Sequence, residues 1–274
     1  MRRIVIFTDL DGSLLDATTY SFDAAKDARS AIQALGAALI LVSSKTCSEM
    51  EPLRLRLHHH HPFIVENGGA LFIPKGYFPF PLDHSTPGRK YDVVAMGVPY
   101  VGLRAALKEI GRVLGCRLQG FGDLSVEEIA RLTGLSLADA FLATQREYGE
   151  PFMVVGNEVP WGQLQTAAET RGLHCTRGGR FYHLLGSNDK GIASRRLMAW
   201  YRRLAQEQGQ GLVTIGIGDS LNDRPMLAVV DYAILVQKPD GSYDPDVQLP
   251  HLIRAEGVGP VGWNRSLMDL LPDL

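Results

Sequence analysis

The residues whose types and spacing point most directly to chemistry are two acidic clusters far apart in the chain. The first is Thr8-Asp9-Leu10-Asp11-Gly12-Ser13, the second Gly218-Asp219-Ser220-Leu221-Asn222-Asp223. Each follows a short apolar run, Arg3–Phe7 and Leu212–Ile217, rich in β-branched residues. Such runs read as buried parallel strands. In an open α/β sheet all parallel strands present their carboxyl ends on one face, where ligands bind. Asp9, Asp11 and Asp219 can therefore converge, and their all-oxygen environment suits Mg²⁺, which takes one or two carboxylates, waters and a phosphate oxygen. Two single residues extend the set toward phosphoryl transfer. Ser43, at the end of Ala38–Val42, can donate a hydrogen bond to a phosphoryl oxygen. Lys190, opening a long helix, can bring positive charge to a developing phosphoryl charge. Either alone is commonplace; the conjunction at strand ends and a helix start is not.

The elements that must position these residues follow an alternating pattern. A helix is expected over Phe22–Leu35 and stops at Gly36. The strand Ala38–Val42 precedes a helix over Thr46–Leu57 that Thr46 can cap. A third strand, Phe63–Val65, runs into Glu66-Asn67-Gly68-Gly69, a turn reversing into Ala70–Ile73. Alternating strands and helices predict a doubly wound, mostly parallel Rossmann-like sheet. Pro74, Pro79, Pro81 and Pro87 mark Pro74–Gly88 as a linker out of this core. Between Tyr91 and Gly186, helices at Val101–Leu114, Ser125–Thr133, Leu137–Thr144 and Trp161–Arg171 mix with strands at Pro151–Val155, Leu173–Thr176 and Phe181–Leu185. That mixture predicts an inserted α+β cap. The expected division is a core of residues 1–84 and 187–274 and a cap of residues 85–186. The core resumes with a helix over Lys190–Glu207, a strand over Leu212–Ile217, a helix over Leu221–Val229 and a strand over Tyr232–Val236. Trp161, Trp200 and Trp263 read as packing residues, and His58–His61 as a solvated loop after a helix.

Composition narrows the function. The 274 residues are 45% hydrophobic and carry a net charge of −2, enough apolar material for a full core and no positive field for nucleic acid. Cys47, Cys116 and Cys175 lack the paired spacing of a zinc site and fit a reducing compartment. The apolar run before Asp9 is too short for a signal peptide, and no run approaches the ~20 residues of a membrane span. A cytoplasmic protein with no membrane or nucleic-acid partner is expected.

The motif set resembles that of the haloacid dehalogenase-like superfamily of phosphatases: Asp9-Leu10-Asp11-Gly12-Ser13, then Ser43, Lys190 and Gly218–Asp223, with the insertion where that superfamily places its larger, second-type cap. The resemblance implies that Asp9 attacks phosphorus to form an aspartyl-phosphate. An ordinary Asp pKa of about 3.9 would leave it ionised at pH 7. Asp11 would serve as acid toward the leaving oxygen and then as base toward water. Mg²⁺ would be held by Asp9, Asp219 and the Asp11 main-chain carbonyl, with Asp223 ordering a metal-bound water and Asn222 or Ser220 in support.

Three further stretches, Ser43-Ser44-Lys45-Thr46, Arg146–Phe152 and Gly179–His183, resemble the mannosyl-3-phosphoglycerate phosphatases, whose product is mannosylglycerate, a compatible solute. The implied substrate is a phosphorylated glycosyl-glycerate with a carboxylate beside its phosphate. Arg146 or Arg180 would grip the carboxylate. Glu147 or Glu150 would accept from sugar hydroxyls, Lys45 and Thr46 would form an anion site at a helix start, and His183 is a further cap-side candidate. A glucosyl substrate, or a phosphomutase using the same nucleophile, is the alternative; a non-catalytic sugar-phosphate sensor would not need every acid.

Overall fold

The computed structural model describes residues 2–178 and 181–274. The opening apolar run forms β1 (Arg2–Thr8), followed by α1 (Lys26–Ala34), β2 (Ala38–Val42), α2 (Cys47–Arg56), β3 (Phe63–Val65), β4 (Ala70–Pro74), β5 (Thr86–Pro87) and β6 (Tyr91–Ala95). The chain continues through α3 (Tyr100–Leu114), β7 (Arg117–Gly120), α4 (Val126–Thr133), α5 (Leu137–Ala143), β8 (Gly149–Val155), α6 (Trp161–Glu169), β9 (His174–Gly178) and β10 (Phe181–Leu185). It then forms α7 (Lys190–Glu207), β11 (Gly211–Gly218), α8 (Arg224–Leu227), β12 (Tyr232–Gln237), β13 (Ile253–Val258) and α9 (Pro260–Leu270).

These strands make two sheets. The larger has the order β13-β12-β11-β1-β2-β3-β4-β6-β5, the smaller β7-β8-β10-β9. In the larger sheet β13 through β3 are parallel, and β4, β6 and β5 extend it antiparallel. β1 is central and buried on both faces: Ile6 packs toward α1, α2 and α9, whereas Val5 and Phe7 pack toward α7 and α8. Each fully buried side chain of this run contributes about 1.5–3 kcal/mol. Strand order reverses between β1 and its neighbours β11 and β2, the crevice where such sheets bind ligands.

Three local devices place the chemistry. The Thr46 hydroxyl accepts from Glu49 N–H while Glu49 accepts from Thr46 N–H, a capping box that starts α2 beside the tip of β2. The Asp189 carboxylate accepts the Ile192 amide at 2.6 Å and so fixes Lys190 as the first residue of α7. Register sets Thr8 opposite Ile217, which brings the two acidic clusters side by side.

The structure corrects the expected path between core and cap. Pro74–Gly88 is not a free linker, because Phe78 and Phe80 are buried against α7, with Phe78 5.2 Å from Tyr201 between ring centroids. Beyond residue 84 the chain is still in the larger sheet: β6 pairs with β4 in the register Ala70 with Ala95. It passes to the smaller sheet only after Ala95. The helix expected over Leu221–Val229 is shorter, a 3₁₀ turn at Leu221–Asp223 followed by α8.

The histidine tract is a loop after α2 that is solvated only in part, with His58 and His60 exposed and His61 half-buried. His59 is buried; its Nδ1 lies 3.0 Å from Arg54 Nε and its Nε2 2.7 Å from the Leu39 carbonyl oxygen. Since the guanidinium can only donate, Nδ1 accepts and Nε2 carries the proton. Burial, then the Arg54 charge, depresses the His59 pKa to about 3. His61 Nδ1 meets the Tyr77 hydroxyl at 2.6 Å, and Tyr77 meets Tyr201 at 2.7 Å. Among the described residues no helix is long and apolar enough to cross a membrane, and Cys47, Cys116 and Cys175 are free thiols.

Candidate active site

Asp9 and Asp219 stand one residue past the ends of adjacent strands, and the Asp9 amide donates to the Ile217 carbonyl at 2.8 Å. Asp223 folds back under this tip: its Oδ2 accepts the amides of Asp219 (3.0 Å) and Ser220 (3.1 Å). One carboxylate oxygen from each of Asp9, Asp219 and Asp223 lies within 4.8 Å of the others. Lys190 reaches into this cluster from α7, fully buried, with Nζ 2.5 Å from Asp9 Oδ1 and 2.6 Å from Asp223 Oδ1. Gly12 closes the turn at φ +83°, and a Cβ there would lie 3.0 Å from Asp219 Oδ2. A side chain would be strained by the backbone and crowd the carboxylate.

The electrostatics favour a cation. Three carboxylates face one ammonium. Burial, then Asp223, pushes Asp9 up to about 7 even though Lys190 pulls the other way. Asp219 is raised for the same reasons, burial first and then Asp223 and Asp9. Burial opposes the charge on Lys190, but Asp223 and Asp9 outweigh it and hold the ammonium above its ordinary range. Burial and the neighbouring carboxylates thus work against the ionised form of Asp9 in the bare protein, and added positive charge would favour the carboxylate. The donor set is all oxygen and in excess of its counter-charge, and so fits Mg²⁺.

The cluster opens into a cleft of about 510 Å³. Its core wall holds Asp11, Tyr20, Ser44, Lys45 and Asn222, and its far wall carries Phe121, Thr133, Leu135, Pro151, Phe181 and His183. Phe121 and Phe181 meet edge to face at 5.0 Å between centroids. Lys238 and Asp244, from the loop after β12, and Arg177 of β9 close the rim.

Comparison with known proteins identifies the family. A protein-family model described as haloacid dehalogenase-like hydrolase matches residues 6–77. A glucosyl-3-phosphoglycerate/mannosyl-3-phosphoglycerate phosphatase of Methanococcoides burtonii is 45% identical over 267 residues, 97% of either chain. The chain belongs to the haloacid dehalogenase-like hydrolases. A second phosphatase of the same name, from Persephonella marina, is 40% identical over 99% of this chain and 98% of its own. The solved structure of Thermoplasma acidophilum 0175 superposes with a TM-score of 0.66 at 19% identity, covering 98% of both chains, a likeness of fold. This haloacid dehalogenase-like hydrolase is a phosphatase, with a mostly parallel α/β core and, as its second unit, the four-stranded sheet and its helices.

The structure brings some of the expected residues to the cleft and takes others elsewhere. Asp9, Asp11, Ser44, Lys45, Arg146, His183, Asp219 and Asn222 line it. Asp11 lies outside the carboxylate triad: its Oδ2 pairs with Lys45 Nζ at 2.8 Å, and its Oδ1 has no hydrogen-bond partner. Ser43 is buried at the tip of β2, its hydroxyl accepting the Lys45 amide at 3.2 Å. His183 is buried with its Nδ1 unpartnered, and burial, then the Arg146 charge, lowers its pKa to about 3, which favours the neutral ring.

Four expected substrate ligands are instead parts of the scaffold or turned from the cleft. Thr46 spends its hydroxyl on the α2 cap and on the Leu142 carbonyl at 2.9 Å. Glu147 is exposed and off the cleft, contributing its amide to Glu66 at 3.0 Å. Glu150 is buried beside Arg104 (2.8 Å) and the Gly122 amide (3.2 Å). Arg146 lines the cleft, but its guanidinium donates to the carbonyls of Ser44 (2.6 Å) and Gly149 (2.7 Å) and faces Glu66 at 3.7 Å. It ties the second unit to the core. Arg180 lies outside the described residues.

The turn Glu66-Asn67 proves central. Glu66 accepts the amides of Glu147 and Tyr148, and Asn67 Oδ1 accepts from Asn222 Nδ2 at 3.1 Å. Asn188 Nδ2 donates to the Asn67 carbonyl at 3.3 Å. Sequence reasoning missed Tyr20, Phe121, Arg177, Lys238 and Asp244, and held Phe181 only within the stretch Gly179–His183. For Lys238 a signal existed, since the loop after β12 leaves the same sheet face as Asp9 and Asp219.

Proposed function

We propose that the chain is a Mg²⁺-dependent phosphatase that hydrolyses mannosyl-3-phosphoglycerate, and the glucosyl compound with it, to the glycosylglycerate and phosphate. The observation that carries the reading is the convergence of Asp9, Asp219, Asp223 and Lys190 under a cleft lined by both units, in a chain whose near-full-length relatives bear that name. Asp9 attacks phosphorus; an O–P bond forms to its carboxylate as the O–P bond to the glycerate oxygen breaks. Asp11, with Oδ1 unengaged, delivers a proton to that oxygen and later takes one from the water that cleaves the aspartyl-phosphate. Lys190 holds Asp9 in place and offsets charge gathered on the phosphoryl group, and Ser43 orients a phosphoryl oxygen. Mg²⁺, held by Asp9, Asp219 and the Asp11 carbonyl with Asp223 in support, supplies charge neutralisation when bound. Asn222, Ser44 and Lys45 complete the core wall. The small-sheet unit serves as a cap, with Phe121 and Phe181 offering apolar faces to the sugar. A cytoplasmic setting accords with three free thiols.

Phosphate release is measured on mannosyl- and glucosyl-3-phosphoglycerate, simple sugar phosphates and 3-phosphoglycerate, with EDTA and with Mg²⁺. Turnover of the glycosylated compounds that EDTA silences and Mg²⁺ restores is the expected result. Asp9→Asn abolishes turnover with the fold retained. Near-wild-type activity in that variant, or full activity after rigorous metal removal, refutes the mechanism; an isomer formed without free phosphate would indicate a mutase.

A further inference from the structure

Most cations around the cleft are committed. Lys190 is held by Asp9 and Asp223, Lys45 by Asp11, and Arg146 by main-chain carbonyls. Among the described residues, two others at the rim retain donors. Lys238, the first residue after β12, pairs its Nζ with Asp244 Oδ2 at 2.8 Å, which leaves two of its three N–H groups. Asp244 is nearly buried and its Oδ1 accepts the Asp246 amide at 3.0 Å, so it is a fixed post that aims the lysine. Arg177, on β9, faces the same loop through a long, exposed contact of 3.4 Å to Asp246 Oδ2. An exposed pair of this kind is worth little and is readily exchanged for another carboxylate.

We propose that Arg177 and Lys238 form a second-anion subsite that takes the carboxylate of the leaving group. The proposal rests on the phosphoglycerate reading and deepens it. Asp244 and Asp246, two residues apart in one loop, each tie one of these cations, so the pair stands at one point of the rim. The Lys238 main chain is itself pinned, its amide donating to the Ser242 carbonyl and its carbonyl accepting from Gly241, both at 2.8 Å. One cation comes from the small-sheet unit and one from the core. A bound carboxylate would replace Asp246 on Arg177 and bridge the two units. Recognition of the leaving group is then shared by a core loop, and is not a property of the cap alone.

The test compares mannosyl-3-phosphoglycerate with its analogue carrying –CH₂OH in place of the carboxylate, using wild type, Lys238→Met, Arg177→Met and the charge-keeping Lys238→Arg. The readout is the ratio of kcat/KM for the two compounds. Wild type favours the carboxylate compound, and either methionine variant lowers the ratio by about 10- to 100-fold, mostly through KM, the scale of a lost charge-assisted contact. Lys238→Arg recovers most of the ratio. If wild type discriminates and both methionine variants keep the ratio, or if losses fall equally on the two compounds, the subsite is refuted while the phosphatase reading stands. Equal turnover of both compounds by wild type also refutes the subsite alone. Absence of turnover of either compound refutes the phosphoglycerate reading, and the subsite with it.

Discussion

Lys190→Met tests the electrostatic account of the site most directly. The substitution keeps the buried stem and removes the charge that lies 2.5 Å from Asp9 and 2.6 Å from Asp223. Breaking one side of a buried ion pair costs about 3–5 kcal/mol. At about 2–4 °C per kcal/mol for domains of ~150–250 residues, Tm should fall by about 6–20 °C. The pH dependence sharpens the test. Asp9 has a folded pKa of about 7, above its ordinary value of 3.8, so the metal-free fold binds a proton that the unfolded chain releases. The stabilisation this gives is complete below 3.8 and is lost as pH rises through about 7. Lys190 opposes that loss. Without it the Asp9 pKa moves higher still, and the Tm gap between wild type and variant widens from pH 5 to pH 8. Thermal unfolding followed by circular dichroism in EDTA measures both effects, and Mg²⁺ should narrow the gap by replacing the missing charge. A gap below about 1 °C, or one constant across this range, would refute the coupling.

Four other substitutions probe the scaffold. His59→Gln removes a histidine whose pKa is lowered from 6.5 to about 3; wild type loses stability as pH falls below 6.5, so its advantage over the variant, measured by urea unfolding, should shrink by about 2 kcal/mol between pH 7 and pH 5. Gly68→Ala places a Cβ 2.1 Å from the Asp189 carbonyl oxygen at φ +87°, and should cost about 2–4 kcal/mol from strain and overpacking. Gly134→Ala, at φ +77° with nothing within 4 Å, should cost only about 1 kcal/mol; equal losses would contradict the steric argument. Glu66→Ala strands the amides of Glu147 and Tyr148 and the Arg146 charge, and a denaturation loss well short of about 3 kcal/mol would show that this latch carries little.

What the sequence revealed and what it concealed divide on physical lines. β1, β2, β11 and β12 were legible because strands buried on both faces must be continuous apolar runs. β7 (Arg-Leu-Gln-Gly) and β13 (Ile-Arg-Ala-Glu-Gly-Val) are polar edge strands whose existence depends on a neighbour. β6 was hidden behind prolines that read as a linker. The core acids were legible because a carboxylate at a strand tip has few structural uses. The stretch Arg146–Pro151 misled because contiguous residues were assigned to one surface, whereas they enter a strand whose successive side chains face opposite ways. Glu150, within β8, is buried in the second unit, and Glu147, which lies before the strand, is exposed. Arg177 carries no signal of its own, and Lys238 only its place after a strand of the same sheet; the tertiary loop brings them together.

One buried contact bears on when the protein becomes competent. Trp263 of α9 donates its indole N–H to the Thr8 hydroxyl at 2.9 Å, and that hydroxyl donates to the Asp9 carbonyl at 2.7 Å, a link across 255 residues. During translation the amino-terminal half emerges first, with β2 and α2 available early to β1. The Asp9 backbone, however, acquires this brace only after α9 has left the ribosome, and β11, which precedes Asp219, also emerges long after β1. A growing chain thus holds Asp9 without the partners that aim it until β11 and α9 have emerged, and reactivity toward cellular phosphate esters is deferred to that point.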